Sequence, residues 1–419
     1  MCIDNEIEKL TFKKQKDMKK LVLILLALLL MVGNAVTAQN RYQSILDSIG
    51  RNSLTFKVLE KKYDAESAAI YRGSLVKNPE LKYGYNWTAG ADVQPSMSLS
   101  LTQTIDFPMT YVSQNMVRNL QSNAAMLNMN LNQTVLLLEV QHVCAELVYS
   151  NAVVALYERC VANAEDIAKI YKTRVATGDC NVLDYNRASM DLAESQNKLN
   201  VAIAERDILL ASLQVLNGGK QIDFIQQKYD DVNLSMNFDL WFEKAEENSP
   251  KLQCIVNDMD LAQNEVRLAR RMWGPELKFG VSSGLPQEVG GSVSQGASLA
   301  VILPLWKNAR AVRAAKARTY AVQAQFDDER VKLYNQMKAL YKKSIALQEN
   351  VMNLQRAFET YNSVELLRKA LESGELSLEY YLISIDFYYD AELSILESQR
   401  KLESAVLDLN APLLVVNRE

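Results

Sequence analysis

The sequence repeats itself once, at a fixed offset of 196 residues, and this feature constrains the fold more than any other. Pro79-Glu80-Leu81-Lys82-Tyr83-Gly84 returns as Pro275-Glu276-Leu277-Lys278-Phe279-Gly280. Asn52-Ser53 returns as Asn248-Ser249, and Gly178-Asp179 as Gly374-Glu375. Separated matches in one register predict two equivalent supersecondary units. We read the units as residues 39–216 and 238–419. They are joined by a linker over 217–237, where Gly218-Gly219 and a polar stretch interrupt the periodicity.

Each half reads as helix, strand, strand, long helix, tight turn, long helix. Strands are expected over about 79–90, 96–107, 275–284 and 297–305, from period-two alternation. In the first, Leu81, Tyr83, Tyr85 and Trp87 alternate with Lys82, Gly84 and Asn86; in the second, Met97, Leu99 and Leu101 alternate with serines. Leu277, Phe279 and Val281, then Leu299, Val301 and Leu303, repeat the pattern. Pro79 and Pro275 stop the preceding helices, because the residue before proline is pushed out of the α region. Two architectures fit these strands. One is an antiparallel sheet with a single face on a soluble core. The other is a transmembrane barrel, apolar side outward, with Tyr85 and Trp87 in an interfacial girdle. Membrane barrels begin at about eight strands, so four per chain require several chains to share one.

The helical segments carry a sustained 3.5-residue period. After Leu136, apolar or small residues fall at Val140, Val143, Leu147, Ser150, Val154, Tyr157, Val161, Ala164, Ala168, Tyr171, Val175 and Gly178. The second half repeats this from Leu333 through Met337, Leu340, Ser344, Leu347, Val351, Leu354, Phe358 and Tyr361. That period specifies left-handed coiled-coil packing. Only 15 glycines and 8 prolines in 419 residues leave such helices uninterrupted. Gly178 and Gly374 then reverse the chain. The expected class is mainly α with a small β part: long antiparallel hairpins, each standing on two strands.

The N-terminus reads as an export signal. Met18-Lys19-Lys20 precedes twelve apolar residues, Leu21 to Val32, and Val36-Thr37-Ala38 supplies small residues for cleavage before Gln39. Twelve residues rise about 18 Å as a helix, short of a bilayer core of ~30 Å. We therefore expect residues 1–38 to be leader and signal peptide, with 1–17 upstream of the working start.

Several functional classes are excluded. The net charge is −4, with no basic stripe, which argues against nucleic acid. His142 is the single histidine and has no companion ligands in sequence, so no metal is expected. Cys144, Cys160, Cys180 and Cys254 are isolated, without metal spacing, and read as core thiols whose oxidation state the spacing leaves open. No G-x-S-x-G, Walker loop or H-E-x-x-H is present, so neither an enzyme nor a cofactor is expected.

The doubled pattern resembles the TolC-like outer membrane efflux family. The first tip, Arg174-Val175-Ala176-Thr177-Gly178-Asp179-Cys180-Asn181-Val182-Leu183-Asp184, follows an R-x-x-x-G-x-x-S/N-x-L-D/E form. The second, Gly374-Glu375-Leu376-Ser377-Leu378-Glu379-Tyr380, follows G-E-x-S-L, and Asn248-Ser249-Pro250 with Pro275-Glu276-Leu277 is similar to the segment before a first strand. The resemblance implies a homotrimer whose strands close one 12-stranded barrel in the outer membrane of a Gram-negative bacterium, with most of the mass in the periplasm. It implies docking to a periplasmic adaptor (membrane fusion) protein and an inner-membrane transporter of RND or ABC type. Loops Ala91 to Pro95 and Leu285 to Gln295 would lie outside the cell. Lipid would meet Leu81, Tyr83, Tyr85, Trp87, Leu99, Leu101, Leu277, Phe279, Val281, Leu299 and Val301. The gate would lie at the tips: Arg174, Thr177, Gly178, Asp179 and Asp184 in the first, and Gly374, Glu375, Ser377 and Tyr380 in the second. The sequence departs from the family at Tyr380 and Ile383, where the resemblance leads one to expect aspartate. The competing expectation is a soluble periplasmic coiled-coil adaptor or scaffold, which would normally carry one hairpin flanked by small β domains.

Overall fold

The computed structural model describes residues 42–72, 76–87, 96–232, 234, 237–285, 293–304 and 309–414. The expected signal peptide and the loop Ala91 to Pro95 lie outside these residues, as does most of the loop from Leu285 to Gln295. The chain divides into two units at Asn52–Ser53. In the first, the described element is helix α1 (Gln43–Asn52), which buries Leu46 and Ile49 on one face.

The second unit runs in the order α2 (Leu54–Ile70), β1 (Glu80–Asn86), β2 (Ser96–Ile105), α3 (Pro108–Thr177), α4 (Val182–Leu216), α5 (Phe238–Asn248), α6 (Pro250–Arg271), β3 (Glu276–Leu285), β4 (Ser294–Ile302), α7 (Ala309–Tyr361), α8 (Val364–Glu372) and α9 (Leu378–Asn410). It is mainly helical with one small antiparallel sheet in the order β1-β2-β3-β4. The strand over 297–305 starts earlier than its alternation, because Ser294 already pairs with Gly284.

Helix α3 spans 70 residues, about 105 Å at 1.5 Å per residue. Pro108 opens it at the first position, where a missing N–H costs nothing. Its heptad seam is buried where predicted, at Val140, Leu147, Ser150, Val154, Ala164, Ala168 and Tyr171. α4 returns along it as the first hairpin, while α2 and α6 pack near its start and α9 further along. The second hairpin is α7–α8 with α9. Its seam buries Met337, Ser344 and Val351 but leaves Leu354 and Tyr361 exposed. α7 ends at Tyr361, where the seam's spacing gives no warning of a stop. The Asn362 Oδ1 accepts the Val364 N–H at 3.1 Å, and Ser363 takes φ −123°, so a side chain displaces the helical bond.

The segment after Gly218-Gly219 is a strap rather than a loose tether. The Asn151 amide donates to the carbonyls of Phe224 at 3.2 Å and Gln226 at 3.0 Å. The Tyr229 hydroxyl donates to the Ala145 carbonyl at 2.7 Å. α5 then lays Phe238, Trp241 and Phe242 into a core with Met337, Val351, Leu402 and Val406. The Phe242 ring meets Tyr334 edge-on at 4.9 Å.

Both hairpin turns need a left-handed residue: Gly178 has φ 80° and Gly374 has φ 79°. Neither site has atoms within 4 Å of an added Cβ, so alanine meets no clash and only backbone strain. Gly178→Ala and Gly374→Ala should each lower unfolding stability by about 1–2 kcal/mol, measured by denaturant titration. An unchanged midpoint would mean that the left-handed turns are not maintained.

Candidate functional site

The hairpins place two features at opposite ends of α3: paired helical turns at its C-terminal end and the sheet beside its start. In the first turn the Gly178 N–H donates to the Val175 carbonyl at 3.2 Å, and the Asp179 N–H to that of Arg174 at 2.8 Å. These bonds satisfy carbonyls left over at the end of α3. The Thr177 hydroxyl donates to the Asp179 carboxylate at 2.5 Å. The Arg174 guanidinium lies over the Tyr171 ring, 5.4 Å from its centroid. Asn181 caps α4 by accepting the Leu183 N–H at 3.1 Å. The second turn repeats the construction. The Gly374 N–H donates to Leu371 at 3.2 Å and the Glu375 N–H to Ala370 at 2.9 Å. Ser377 caps α9 by accepting the Tyr380 N–H at 3.3 Å.

The two turns share one core. Ile167, Ala168 and Tyr171 of α3, Ala188 of α4, Leu371 of α8, and Leu378, Tyr381, Leu382 and Ile385 of α9 pack together. Of the predicted tip residues, Arg174 and Asp184 are half-buried, while Thr177, Gly178, Asp179, Gly374, Glu375, Ser377 and Tyr380 are exposed. Asp179 is bonded within its own turn, and among the described residues no hydrogen bond or ion pair joins it to Glu375.

The polar contacts between the hairpins come from residues outside the predicted gate set. The Arg187 guanidinium donates to the Glu379 carboxylate at 3.1 Å, linking α4 to α9. Arg368 of α8 pairs with Asp166 of α3 at 3.0 Å. The buried Tyr381 hydroxyl donates to the Asn163 amide oxygen at 2.9 Å. Tyr381 had a signal, since the repeat places Tyr185 at the equivalent position and both join the shared core. The ion pairs had none: the repeat equivalents of Arg187 and Glu379 are Ile383 and Leu183.

Beyond the turns, Asp191 of α4 is pushed up to about 6 by burial and by the negative charges of Asp386 and Glu194, against the opposing pull of Lys198. Burial likewise raises Asp386. Further along α3, the Nε2 of His142 lies 2.9 Å from the Asp408 carboxylate. That bond raises the imidazole pKa against the opposing effect of burial, and Glu146 adds to the rise. His142 therefore ties α3 to the end of α9. The four described cysteines are free thiols, and burial pushes Cys144 and Cys160 up to about 12, the protonated, inert state. No group of metal-ligating side chains occurs among the described residues.

In the sheet, cross-strand partners share a face. Leu81 pairs with Leu101, Tyr83 with Leu99, Leu101 with Val281, Leu277 with Val301 and Phe279 with Leu299. The predicted apolar residues that pair within the sheet therefore fall on one side, exposed except for the half-buried Met97 and Leu277. Tyr85 and Trp87 lie side by side at one end, their ring centroids 5.9 Å apart and their planes tilted by 35°. The other side carries small and polar pairs such as Gly84 with Ser98 and Gly280 with Ser298. Among the described residues the outer edges of β1 and β4 have no strand partner. No described helix is long and apolar enough to cross a membrane.

Because Asp191 holds its proton more tightly when folded, its contribution to stability is present below the ordinary carboxylate pKa and is lost as pH rises through about 6. Asp191→Asn should therefore raise unfolding stability at pH 7.5 and leave it unchanged near pH 3.5, read by urea titration at both values. Equal effects at the two pH values would contradict the burial of this carboxyl.

The sequence pattern of the outer membrane efflux protein family matches residues 241–411. No curated protein matches the sequence. Among solved structures, a membrane protein from Pseudomonas aeruginosa is similar with TM-score 0.71 and 17% identity, over 88% of this chain and 89% of its own. The CmeC outer membrane channel of Campylobacter jejuni is similar with TM-score 0.70 and 15% identity, over 89% and 85%. The open state of the MtrE outer membrane channel of Neisseria gonorrhoeae is similar with TM-score 0.68 and 14% identity, over 89% and 88%. The second half of the chain thus carries the sequence pattern of the outer membrane efflux proteins, and nearly the whole chain shares the fold of these solved outer membrane channels.

Proposed function

We propose that the protein is a passive exit duct in the outer membrane of a Gram-negative bacterium. Three copies of its four-stranded sheet close one twelve-stranded barrel, and their hairpins form a periplasmic tunnel. The observation that carries this reading is the sheet: an exposed apolar face on strands of 7–10 residues, with both outer edges unpaired among the described residues. A lipid-spanning sheet cannot leave backbone donors and acceptors open, so β1 of one copy pairs with β4 of the next. The helices are consistent with this closure. α4 exposes Met190, Val201, Ile208 and Val215, and α7 exposes Tyr320, Val331, Met352 and Tyr361, apolar faces that a neighbouring copy covers. Two hairpins and two strand pairs in one chain also disfavour a single-hairpin adaptor.

On this reading the tips are the periplasmic gate, opened by docking to an adaptor (membrane fusion) protein and an inner-membrane transporter. Arg174, Thr177, Gly178, Gly374 and Ser377 shape the turns. The carboxylates of Asp179, Asp184 and Glu375, repeated in each copy, favour cations at the mouth. Arg187–Glu379 is the latch between hairpins. One exposed pair contributes only ~0–1 kcal/mol, so the latch acts through its repetition in each copy.

Native mass spectrometry of detergent-extracted protein should give a trimer; a monomer that stays soluble without detergent would overturn the duct. In planar bilayers Arg187→Glu should raise conductance, and the reversed pair Arg187→Glu with Glu379→Arg should restore it. A double variant that conducts like the single one would remove the latch from the gate.

A further inference from the structure

The end of α9 is held from two sides. Leu402, Val406 and Leu409 lie in the apolar core with Phe238 and Trp241 of α5 and Met337 of α7, all from the second repeat. The polar side of α9 reaches across to α3, in the first repeat. There Arg400 grips both carboxylate oxygens of Glu146, at 3.2 and 3.0 Å, and lies over the Tyr149 ring, 4.8 Å from its centroid. Further along α9, the Asp408 carboxylate meets the Nε2 of His142, halfway along α3, at 2.9 Å. The strap closes the same place from a third direction, with the Tyr229 hydroxyl donating to the carbonyl of Ala145, which lies between His142 and Glu146 in the chain. Charge at this junction is not balanced without the imidazole. Arg400 is committed to Glu146, and among the described residues Asp408 has no cationic partner other than His142. Glu403 of α9 brings a buried carboxyl beside Tyr229, whose phenol is raised by burial and stays neutral. A neutral imidazole can still donate one hydrogen bond, but only the protonated ring supplies a positive charge. Hydrogen bonds between ionised partners are roughly twice as strong as neutral ones.

We propose that His142 and Asp408 are a proton-operated clasp between the two repeats, which in acid fastens α3 and its strap to the end of α9 and slackens as the medium turns alkaline. The clasp lies within one chain and stands whether or not three copies form a duct. Linkage sets its direction. The hydrogen bond to Asp408 raises the imidazole above its ordinary 6.5 against the opposing effect of burial, and the charges of Asp408 and Glu146 add to the rise. The contribution to stability is therefore fully present below 6.5 and is lost as pH rises through the raised value. Asp191 also favours the folded state in acid, so the difference between the wild type and a His142 variant isolates the clasp.

Because His142 is the single histidine, carbon-13 labelled histidine gives one imidazole signal in the full-length protein. Its NMR titration midpoint should lie above 6.5 in the wild type and fall in Asp408→Asn. His142→Gln keeps an N–H donor and removes the charge. Hydrogen exchange, corrected for intrinsic rate, should show protection in the last turns of α9 falling about 2–5-fold in this variant at pH 5.5 and matching the wild type at pH 9. Asp408→Asn should copy that pattern, and the double variant should lose no more protection than either single one. One midpoint shared by wild type and Asp408→Asn would overturn the clasp. So would an equal loss of protection at both pH values, which marks a side chain that only packs.

Discussion

The seam along α3 is the interaction on which the rest of the molecule depends. A 70-residue helix is stable here because one stripe of it is buried against successive partners: α2 and α6 near the sheet, then α4 and α9 toward the turns. Each heptad adds a few buried side chains, at roughly 1.5–3 kcal/mol for a fully buried Leu or Val. No single layer dominates, and continuity along the stripe matters more than any one contact. The same helix sets the separation of sheet and tips, about 105 Å of rise between β2 and Gly178. The strap over 220–232 braces this rod at mid-length, with Asn151 and Tyr229 tying the inter-repeat segment to α3.

Much of this was legible in the residues because it is local or periodic. The 3.5-residue spacing located the seam, the glycines located the turns, and period-two alternation put the apolar residues of the paired strands on one face of the sheet. What stayed hidden was long-range pairing. Nothing around Arg187 points to Glu379, nothing around Asp166 points to Arg368, and His142 looked unremarkable until Asp408 was brought beside it. Ion pairs of this kind join residues about 190 to 270 positions apart, and a side chain's own neighbours carry no trace of such a partner. The stop at Tyr361 was hidden differently: the apolar period runs through it, and the cause is a side-chain hydrogen bond from a polar residue just beyond.

Duplication also left the two halves unequal where they are most alike. Both turns use the same backbone bonds and glycine geometry, yet the helices that follow them present different chemistry, charged after the first and aromatic or aliphatic after the second. A shared core beneath both turns keeps them together while their surfaces diverge. One backbone solution, used twice, left the surface positions free to acquire separate tasks.

The interruption between Tyr361 and Val364 has a mechanical consequence. The descending arm of the first hairpin is an unbroken strut, whereas that of the second ends in a nine-residue segment attached through a joint. Load applied at the turns bends the jointed arm first, because a helix resists flexure through its backbone hydrogen bonds, and at Val364 the Asn362 side chain has taken the place of one. Strain of that kind stays within the last few turns of one arm, leaving the rest of the shaft, and the sheet at its far end, undisturbed.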